Sequence, residues 1–284
     1  MDLKRLYDKC YEILRHGKFA ELATNESVLI ISEAMNINHN NVLFSAKTAT
    51  KNDVDKILTF CQQRASGIPL QYLFHKAYFR NLELFVDYGV LIPRPETEIL
   101  CQYVIDNVKS GGNVLDIGTG SGAIALSIAT ERIDCQVSTV EKSDEAIKIA
   151  TQNFQKYKTQ CFENKAIELI KSDLFSNIDS NQKFSAITAN LPYVSSVEYE
   201  KLPFDVKNHE PIEALVAEDA GLSLIKKTID NAYNFLEKNG FIVFEFGDFQ
   251  TKAVYNLLLE NGNYNKIEVF NDLNNIERFI AAYV

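Results

Sequence analysis

Residues 113–123 read Asn113-Val114-Leu115-Asp116-Ile117-Gly118-Thr119-Gly120-Ser121-Gly122-Ala123, an apolar strand pattern that runs into glycines and opens a helix. Glycines at that place predict a sharp turn that lets the backbone approach a ligand closely, with the oriented N–H groups of the helix N-terminus behind it. The stretch therefore predicts a cofactor site. Because Gly118, Gly120 and Ala123 also satisfy the dinucleotide pattern G-x-G-x-x-G/A, the loop alone leaves S-adenosylmethionine and NAD open.

Glu141 ends the next predicted strand. Doubly wound nucleotide sites often place an acidic residue there to accept hydrogen bonds from ribose hydroxyls. This position fits either cofactor, so it supports the site without choosing its occupant.

Outward from this stretch, strand and helix patterns alternate. Strands are predicted at 113–117, 136–140, 166–170, 184–189 and 241–246, and helices at 97–108, 121–129, 144–157, 222–237 and 249–259. Such alternation predicts an α/β fold with a mostly parallel sheet covered on both faces. Two final strand-like runs, 266–270 and 278–284, are close enough in sequence to pair antiparallel.

The first third of the chain is helical in pattern. Apolar residues recur at steps of three and four in 3–14 and 54–61, the second behind Asn52 as the expected N-cap, and 26–35 is also helix-like. Gly67-Ile68-Pro69 breaks this pattern, and runs at 78–80 and 82–86 predict a short hairpin. We expect a helical domain at 1–72, a β-hairpin linker at 73–95 and a larger domain at 96–284.

Asn190-Leu191-Pro192-Tyr193 directly follows the predicted strand 184–189. Such a loop beside a cofactor crevice suits methyl transfer to a planar nitrogen, whose delocalised lone pair is a poor nucleophile. The Asn190 side-chain oxygen and the Pro192 carbonyl can each accept one N–H of the group, while Tyr193 packs against it. Methylation acidifies the nitrogen, so the proton can leave afterwards. An NAD-dependent oxidoreductase would leave this loop unused, which favours S-adenosylmethionine.

The chain resembles the protein-glutamine N5-methyltransferases of the PrmC/HemK family in three stretches. They are the glycine loop, the loop Asn190–Tyr193, and Leu91-Ile92-Pro93-Arg94-Pro95-Glu96-Thr97-Glu98. Shorter family-like segments are 67–72, Glu210-Pro211, Ala214-Leu215, Gly221-Leu222, and Glu245 with Gly247 and Gln250. The resemblance covers nearly the whole chain. One departure is Leu191, where the family usually has proline; Asn-Leu-Pro-Tyr is also the form seen in ribosomal RNA adenine dimethyltransferases.

The resemblance implies a class I (Rossmann-like) methyltransferase domain that moves a methyl group from S-adenosylmethionine to a side-chain amide. The implied acceptor is the glutamine of the Gly-Gly-Gln motif in class I peptide chain release factors, which the helical domain would recognise. By position, cofactor binding is implied for Gly118, Thr119, Gly120, Ser121, Gly122, Glu141, Leu174 and Asn190. Catalysis is implied for Asn190, Pro192 and Tyr193, and substrate binding for these three and Leu191.

Composition narrows the alternatives. Lys plus Arg is 29 and Asp plus Glu is 38, so the net charge is −9, which argues against a mainly electrostatic nucleic-acid binder. An adenine-N6 methyltransferase acting on RNA or DNA stays the nearest alternative, and a non-catalytic adaptor is a further one.

The five cysteines are scattered and never spaced C-x-x-C, so neither disulfides nor a metal site is expected. Without an apolar run near 18 residues or a signal peptide, we expect a cytoplasmic protein that contacts no membrane. We also expect a monomer.

Overall fold

A computed structural model describes residues 1–164 and 167–284. Contacts divide the chain into two units, one of residues 1–76 with 203–209 and one of residues 77–202 with 210–284. The domain boundaries expected at residues 72 and 95 stay a prediction. Within the described ranges, every helix is too short or too polar to span a lipid bilayer.

The helices are α1 (Leu3–Leu14), α2 (Ala23–Met35), α3 (Lys51–Ser66), α4 (Leu70–Phe74), α5 (Thr97–Asn107), α6 (Ala123–Glu131), α7 (Asp144–Tyr157), α8 (Ser196–Tyr199), α9 (Phe204–His209), α10 (Ser223–Ala232) and α11 (Thr251–Asn261). The strands are β1 (Ala77–Phe79), β2 (Leu82–Leu84), β3 (Asn113–Ile117), β4 (Gln136–Glu141), β5 (Glu168–Lys171), β6 (Phe184–Asn190), β7 (Leu236–Glu245), β8 (Lys266–Asn271) and β9 (Glu277–Tyr283).

The first unit packs α1, α2 and α3 around one apolar core. In α1 the buried side chains recur at helical spacing: Leu3, Leu6, Cys10 and Leu14. The expected Asn52 cap of α3 is wrong. Thr50 is the N-cap: its hydroxyl accepts a hydrogen bond from Asp53 N at 3.2 Å, and the Asp53 carboxylate accepts one from Thr50 N at 2.9 Å. This capping box satisfies two backbone N–H groups, so the helix begins two residues earlier than expected.

The second unit holds a seven-stranded sheet in the order β5-β4-β3-β6-β7-β9-β8. The first five strands in that order are parallel, whereas β9 runs antiparallel to both β7 and β8. The predicted α/β class, mostly parallel with an antiparallel C-terminal pair, is confirmed. Separately, β1 and β2 pair as the predicted hairpin; β1 begins one residue earlier than expected, and β2 ends two residues earlier.

Alternate residues of the central strands face opposite sides of the sheet, as a strand period of two requires. Val114 and Val243 pack with buried residues of α5, α6 and α7, whereas Leu115 and Ile242 pack with those of α10 and α11. Fully burying one such side chain is worth about 1.5–3 kcal/mol, so two apolar faces hold the central strands in register.

Register brings the carboxyl ends of the central strands together. Ile117 pairs with Val140 on one side and with Ala189 on the other, and Asn190 pairs with Glu245. The strand order reverses direction at β3 and β6, and such a switch point is where open α/β sheets bind ligands. The loops that follow β3, β4, β6 and β7 therefore meet at one edge.

Two element predictions need correction. β7 begins at Leu236, inside the predicted helix 222–237, because α10 ends at Ala232 and Leu236 pairs with Phe184 of β6 before the register shifts. The gain from burying Leu236, which is 5% exposed, outweighs the helical pattern of the segment. The predicted strand 166–170 corresponds to β5, but Ala166 lies outside the described residues.

Candidate active site

The glycine loop, residues Gly118–Gly122, joins β3 to α6. All three of its glycines have positive φ, from +53° at Gly120 to +86° at Gly122, which explains why glycine is used there. The N–H groups of Gly118 and Thr119 donate to the Val140 carbonyl at 3.0 and 3.2 Å, which fastens the loop to β4. A Cβ added at Gly120 would meet no described atom within 4 Å, so that face of the loop is open.

Asn153 of α7 also fixes the loop, and its role is not evident from the sequence. It is fully buried and donates to the Ser121 carbonyl at 2.9 Å, while its side-chain oxygen accepts from Phe85 N at 2.8 Å. Thr119 adds a hydroxyl contact of 2.6 Å with Thr139 Oγ1. Thus the loop conformation is set by β4 and α7 independently of any ligand.

Glu141 lies at the end of β4, beside the glycine loop. Its Oε1 accepts from the N–H groups of Lys142 and Ser143 at 2.7 and 2.9 Å, and its Oε2 accepts from Gly120 N at 3.0 Å. A carboxylate has about four acceptor positions, so one position on Oε2 remains for a hydroxyl.

Leu174 follows β5, at the same edge of the sheet. Its φ is +50°, and Ser172 Oγ donates to its carbonyl at 2.8 Å. Its partly buried side chain packs against the core under this edge. The structure thus brings all the predicted cofactor residues to the ends of three neighbouring strands and to the start of the loop after β6.

Asp116 of β3 is fully buried two residues before the glycine loop. Its Oδ1 accepts a hydrogen bond from Thr188 Oγ1 at 2.7 Å, and Thr139 Oγ1 lies 3.4 Å from its Oδ2. Burial raises the pKa of this carboxyl to about 7, while the two hydroxyls act in the opposite direction. The signal in the sequence was an acidic residue within an apolar strand pattern.

Asn190-Leu191-Pro192-Tyr193 leaves the end of β6 next to the glycine loop. The Leu191 side chain is 5% exposed and packs in the core, and a Cβ added at Gly118 would lie 3.3 Å from its Cδ2. Leu191 therefore supports the glycine loop from below, and only its backbone is available to a ligand. Asn190, Pro192 and Tyr193 are partly exposed.

The Tyr193 backbone is held by residues that come later in the sequence. Gln250 Nε2 donates to the carbonyls of Tyr193 and Ala220, each at 3.0 Å, and Gln250 Oε1 accepts from Gly247 N at 2.8 Å. A Cβ at Gly221 would lie 1.9 Å from the Tyr193 oxygen. The close approach of the two backbones explains why glycine is needed at position 221.

A chain of hydrogen bonds, which we call the Thr97–Glu245 link, connects Asn190 to Tyr193. Asn190 Nδ2 donates to Thr97 Oγ1 at 3.1 Å, Thr97 Oγ1 donates to Glu245 Oε2 at 2.6 Å, and Tyr193 donates to Glu245 Oε1 at 3.2 Å. Burial raises the pKa of Glu245, while hydrogen bonds from Thr97 and Tyr193 and the charge of Arg278 act to lower it. Burial raises the pKa of Tyr193 most, and the negative charge of Glu245 raises it further, so the Tyr193 hydroxyl stays protonated at neutral pH.

The segment before α5 is fastened by an ion pair. Arg94 Nη2 lies 2.6 Å from Glu210 Oε1, and Glu210 Oε2 accepts from Ile92 N at 3.2 Å. The Glu210 side chain is 2% exposed. Two segments far apart in sequence, Leu91–Glu98 and Glu210–Pro211, are therefore joined through Ile92 and Arg94.

The arrangement can hold a nucleotide-like group along the glycine loop and Glu141, with an amide, a backbone carbonyl and an aromatic ring beside it. Among residues 1–164 and 167–284, no group of three or more His, Cys, Asp or Glu side chains is arranged to hold a metal ion. The site is thus suited to positioning a planar polar group next to a bound cofactor.

Comparison with solved structures supports the fold. The chain is similar to the hMettl16 catalytic domain, solved in complex with the MAT2A 3′UTR hairpin 1, with a TM-score of 0.57 and 17% identity over 82% of this chain and 80% of that one. At this identity the similarity concerns the fold alone.

Comparisons of sequence identify the family. A family model described as "Methyltransferase small domain" matches residues 95–203. The release factor glutamine methyltransferase of Thermodesulfovibrio yellowstonii is 37% identical over 280 residues, covering 95% of each chain. The enzyme of the same name from Streptococcus pneumoniae is 32% identical over 264 residues, covering 92% of this chain and 90% of its own. The resemblance predicted from the motifs is confirmed: the chain belongs to the release factor glutamine methyltransferase family.

Proposed function

We propose that this protein transfers a methyl group from S-adenosylmethionine to the side-chain amide nitrogen (N5) of the glutamine in the Gly-Gly-Gln motif of class I peptide chain release factors. The observation that carries this proposal is the position of Asn190–Tyr193 at the end of β6, beside the glycine loop at the end of β3. Membership of the release factor glutamine methyltransferase family supplies the substrate.

The residues present fit the cofactor. The open face at Gly120 gives room for the methionine part, and the remaining acceptor position of Glu141 suits a ribose hydroxyl. The partly buried Leu174 offers an apolar surface for the adenine. When bound, S-adenosylmethionine supplies an electrophilic methyl group on a positively charged sulfur.

The acceptor nitrogen needs two hydrogen-bond acceptors. The Asn190 amide is bound to Thr97 through its Nδ2 end. Its Oδ1 accepts no hydrogen bond among the described residues and is left for the substrate. Oδ1 and the Pro192 carbonyl would each accept one N–H of the glutamine, which leaves the nitrogen lone pair directed at the methyl carbon. The new N–C bond forms as the C–S bond breaks, and S-adenosylhomocysteine leaves.

No general base is required before this attack, because methylation makes the nitrogen strongly acidic and its proton then passes to water. Tyr193 does not act as a base, since its pKa is raised and its hydroxyl already donates to Glu245. Its ring instead packs against the flat amide, and catalysis consists of positioning together with two oriented dipoles.

The first unit would recognise the release factor, and the protein would act as a cytoplasmic monomer. Recognition of a protein rather than a nucleic acid agrees with the net charge of −9.

The test uses the full chain, labelled S-adenosylmethionine and a class I release factor. We expect the label to enter the release factor and to be lost when the glutamine of its motif is changed to alanine. Ribosomal RNA serves as the competing acceptor. Label in ribosomal RNA and none in the release factor would overturn the proposal in favour of the adenine-N6 alternative.

A further inference from the structure

The Thr97–Glu245 link draws its four side chains from separate parts of the second unit. Thr97 begins α5, Asn190 ends β6, Glu245 ends β7, and Tyr193 lies in the loop after β6. Thr97 and Glu245 are 4% and 2% exposed. Hydrogen bonds at such depth are costly to leave unmade, so this arrangement is held firmly.

The Thr97 hydroxyl is not used by its own helix. Glu96 is the N-cap of α5, and no side chain makes a capping hydrogen bond there. Thr97 is the first residue of α5, one position past the N-cap, and its hydroxyl is directed to Glu245 of β7 at 2.6 Å. A role in helix capping therefore does not account for Thr97.

The chemistry of the three groups fixes where each proton lies. The Thr97 hydroxyl donates its single proton to Glu245 Oε2, and Tyr193 donates to Oε1, so both oxygens of Glu245 act as acceptors. The lone pairs of Thr97 Oγ1 can then only accept, and the partner at 3.1 Å must be the NH2 end of Asn190. Tyr193 supports this direction by donating to the other oxygen of Glu245.

The orientation of the Asn190 amide decides what the substrate meets. With NH2 bound to Thr97, the oxygen is the end left to accept an N–H. A reversed amide would present NH2 to the NH2 of a glutamine, and two donors cannot form a hydrogen bond.

We propose that Thr97 and Glu245 are positioning residues that hold the Asn190 amide in the single orientation in which Oδ1 accepts the N–H of the substrate amide. This inference rests on the proposed function, because it assigns Thr97 and Glu245 a part in the same reaction. Neither residue touches the reacting atoms; both act through Asn190.

Thr97→Val tests the link, since valine keeps the shape of threonine and removes its hydroxyl. We expect kcat for the release factor to fall about tenfold or more, while KM for S-adenosylmethionine changes little and the protein stays folded. Thr97→Ser keeps the hydroxyl and should restore most of kcat. Glu245→Gln can donate to Thr97 as well as accept, so it should also lower kcat.

Thr228→Val is the matched control. Thr228 is fully buried in α10, and its hydroxyl donates only within its helix, to Leu224 O at 2.9 Å. The Thr228→Val substitution removes an equally buried hydroxyl that does not contact Asn190, so kcat should stay at the wild-type value. A wild-type kcat in Thr97→Val would overturn the proposal. A kcat in Thr97→Ser as low as that of Thr97→Val would overturn it as well.

A second measurement reads the link without any reaction. In 15N-labelled protein, the side-chain NH2 signals of Asn190 are assigned by their loss in Asn190→Ala, and hydrogen exchange then reports their protection. We expect protection in the wild type, Thr97→Ser and Thr228→Val, and its loss in Thr97→Val. Unprotected wild-type signals would refute the link even if methylation occurs. A wild type that shows protection but does not methylate release factors would refute the proposed function alone.

Discussion

At the scale of single residues, Asn190 carries the most specific expectation. In the proposed mechanism its amide oxygen accepts an N–H of the substrate, and its NH2 lies 3.1 Å from Thr97 Oγ1. Asn190→Ala should therefore lower kcat about 100-fold or more and leave S-adenosylhomocysteine affinity nearly unchanged, as measured by calorimetry. Asn231→Ala on α10, which removes an exposed amide bonded to Lys227 O, is the control. Equal losses of cofactor affinity and turnover in Asn190→Ala would instead show that the side chain shapes the cofactor pocket.

Asp116 gives a prediction about stability and pH. Its pKa rises from the ordinary 3.8 to about 7 because the carboxyl is buried, so between these values the folded chain binds more protons than the unfolded chain. The free energy of unfolding contributed by this group therefore falls as pH rises, by up to about 1.4 kcal/mol per pH unit, and the loss is complete above pH 7.

Asp116→Asn removes this titration. Relative to wild type, its free energy of unfolding in urea should rise by about 2 kcal/mol between pH 5 and pH 7. Asp230→Asn, an exposed change on α10, should run parallel to wild type over the same range. If Asp116→Asn also runs parallel, Asp116 is already ionised in the folded protein at pH 5.

At the scale of elements, the loop around Gly221 lies against the Asn190–Tyr193 loop and approaches its backbone closely. Gly221→Ala should lower kcat strongly, because its Cβ would lie 1.9 Å from Tyr193 O and force the Asn190–Tyr193 loop to move. Gly262→Ala is the matched control, since Gly262 has a similar positive φ of +73° and no described atom within 4 Å of an added Cβ. Both variants should lose about 1 kcal/mol of stability from backbone strain. Gly221→Ala should lose more because of the clash with the Tyr193 backbone, and only Gly221→Ala should lose turnover. Equal activities would mean that the loop tolerates the shift.

Some of these elements can be predicted from the sequence alone and others cannot. The glycine loop and Asn190–Tyr193 were predictable because each directly follows an apolar strand, and parallel strands end at a common edge. The Thr97–Glu245 link was not predictable from the sequence, because its residues Thr97 and Glu245 are 148 positions apart. They meet only through the register of the sheet and the position of the start of α5. The start of β7 was also missed, because pairing with β6 overrides a local helical pattern. The Thr50 cap, by contrast, had a readable Thr-x-x-Asp signal.

At the scale of the whole molecule, the excess of 38 acidic over 29 basic side chains bears on how a protein substrate is captured. A negatively charged enzyme attracts a partner with a basic surface, and salt weakens that attraction because the Debye length is only about 10 Å at 0.1 M. We expect kcat/KM for the release factor to fall on the order of fivefold between about 0.05 and 0.3 M salt, through KM.

An uncharged peptide containing Gly-Gly-Gln separates this capture from the chemistry. In the proposed mechanism, attack on the amide depends on Asn190, Pro192 and the bound cofactor rather than on distant charges, so kcat/KM for the peptide should stay nearly flat over the same salt range. A parallel fall for both substrates would place the salt effect in cofactor binding. A release factor whose kcat/KM is independent of salt would show that capture depends on apolar contact and shape, and the acidic surface would then serve solubility alone.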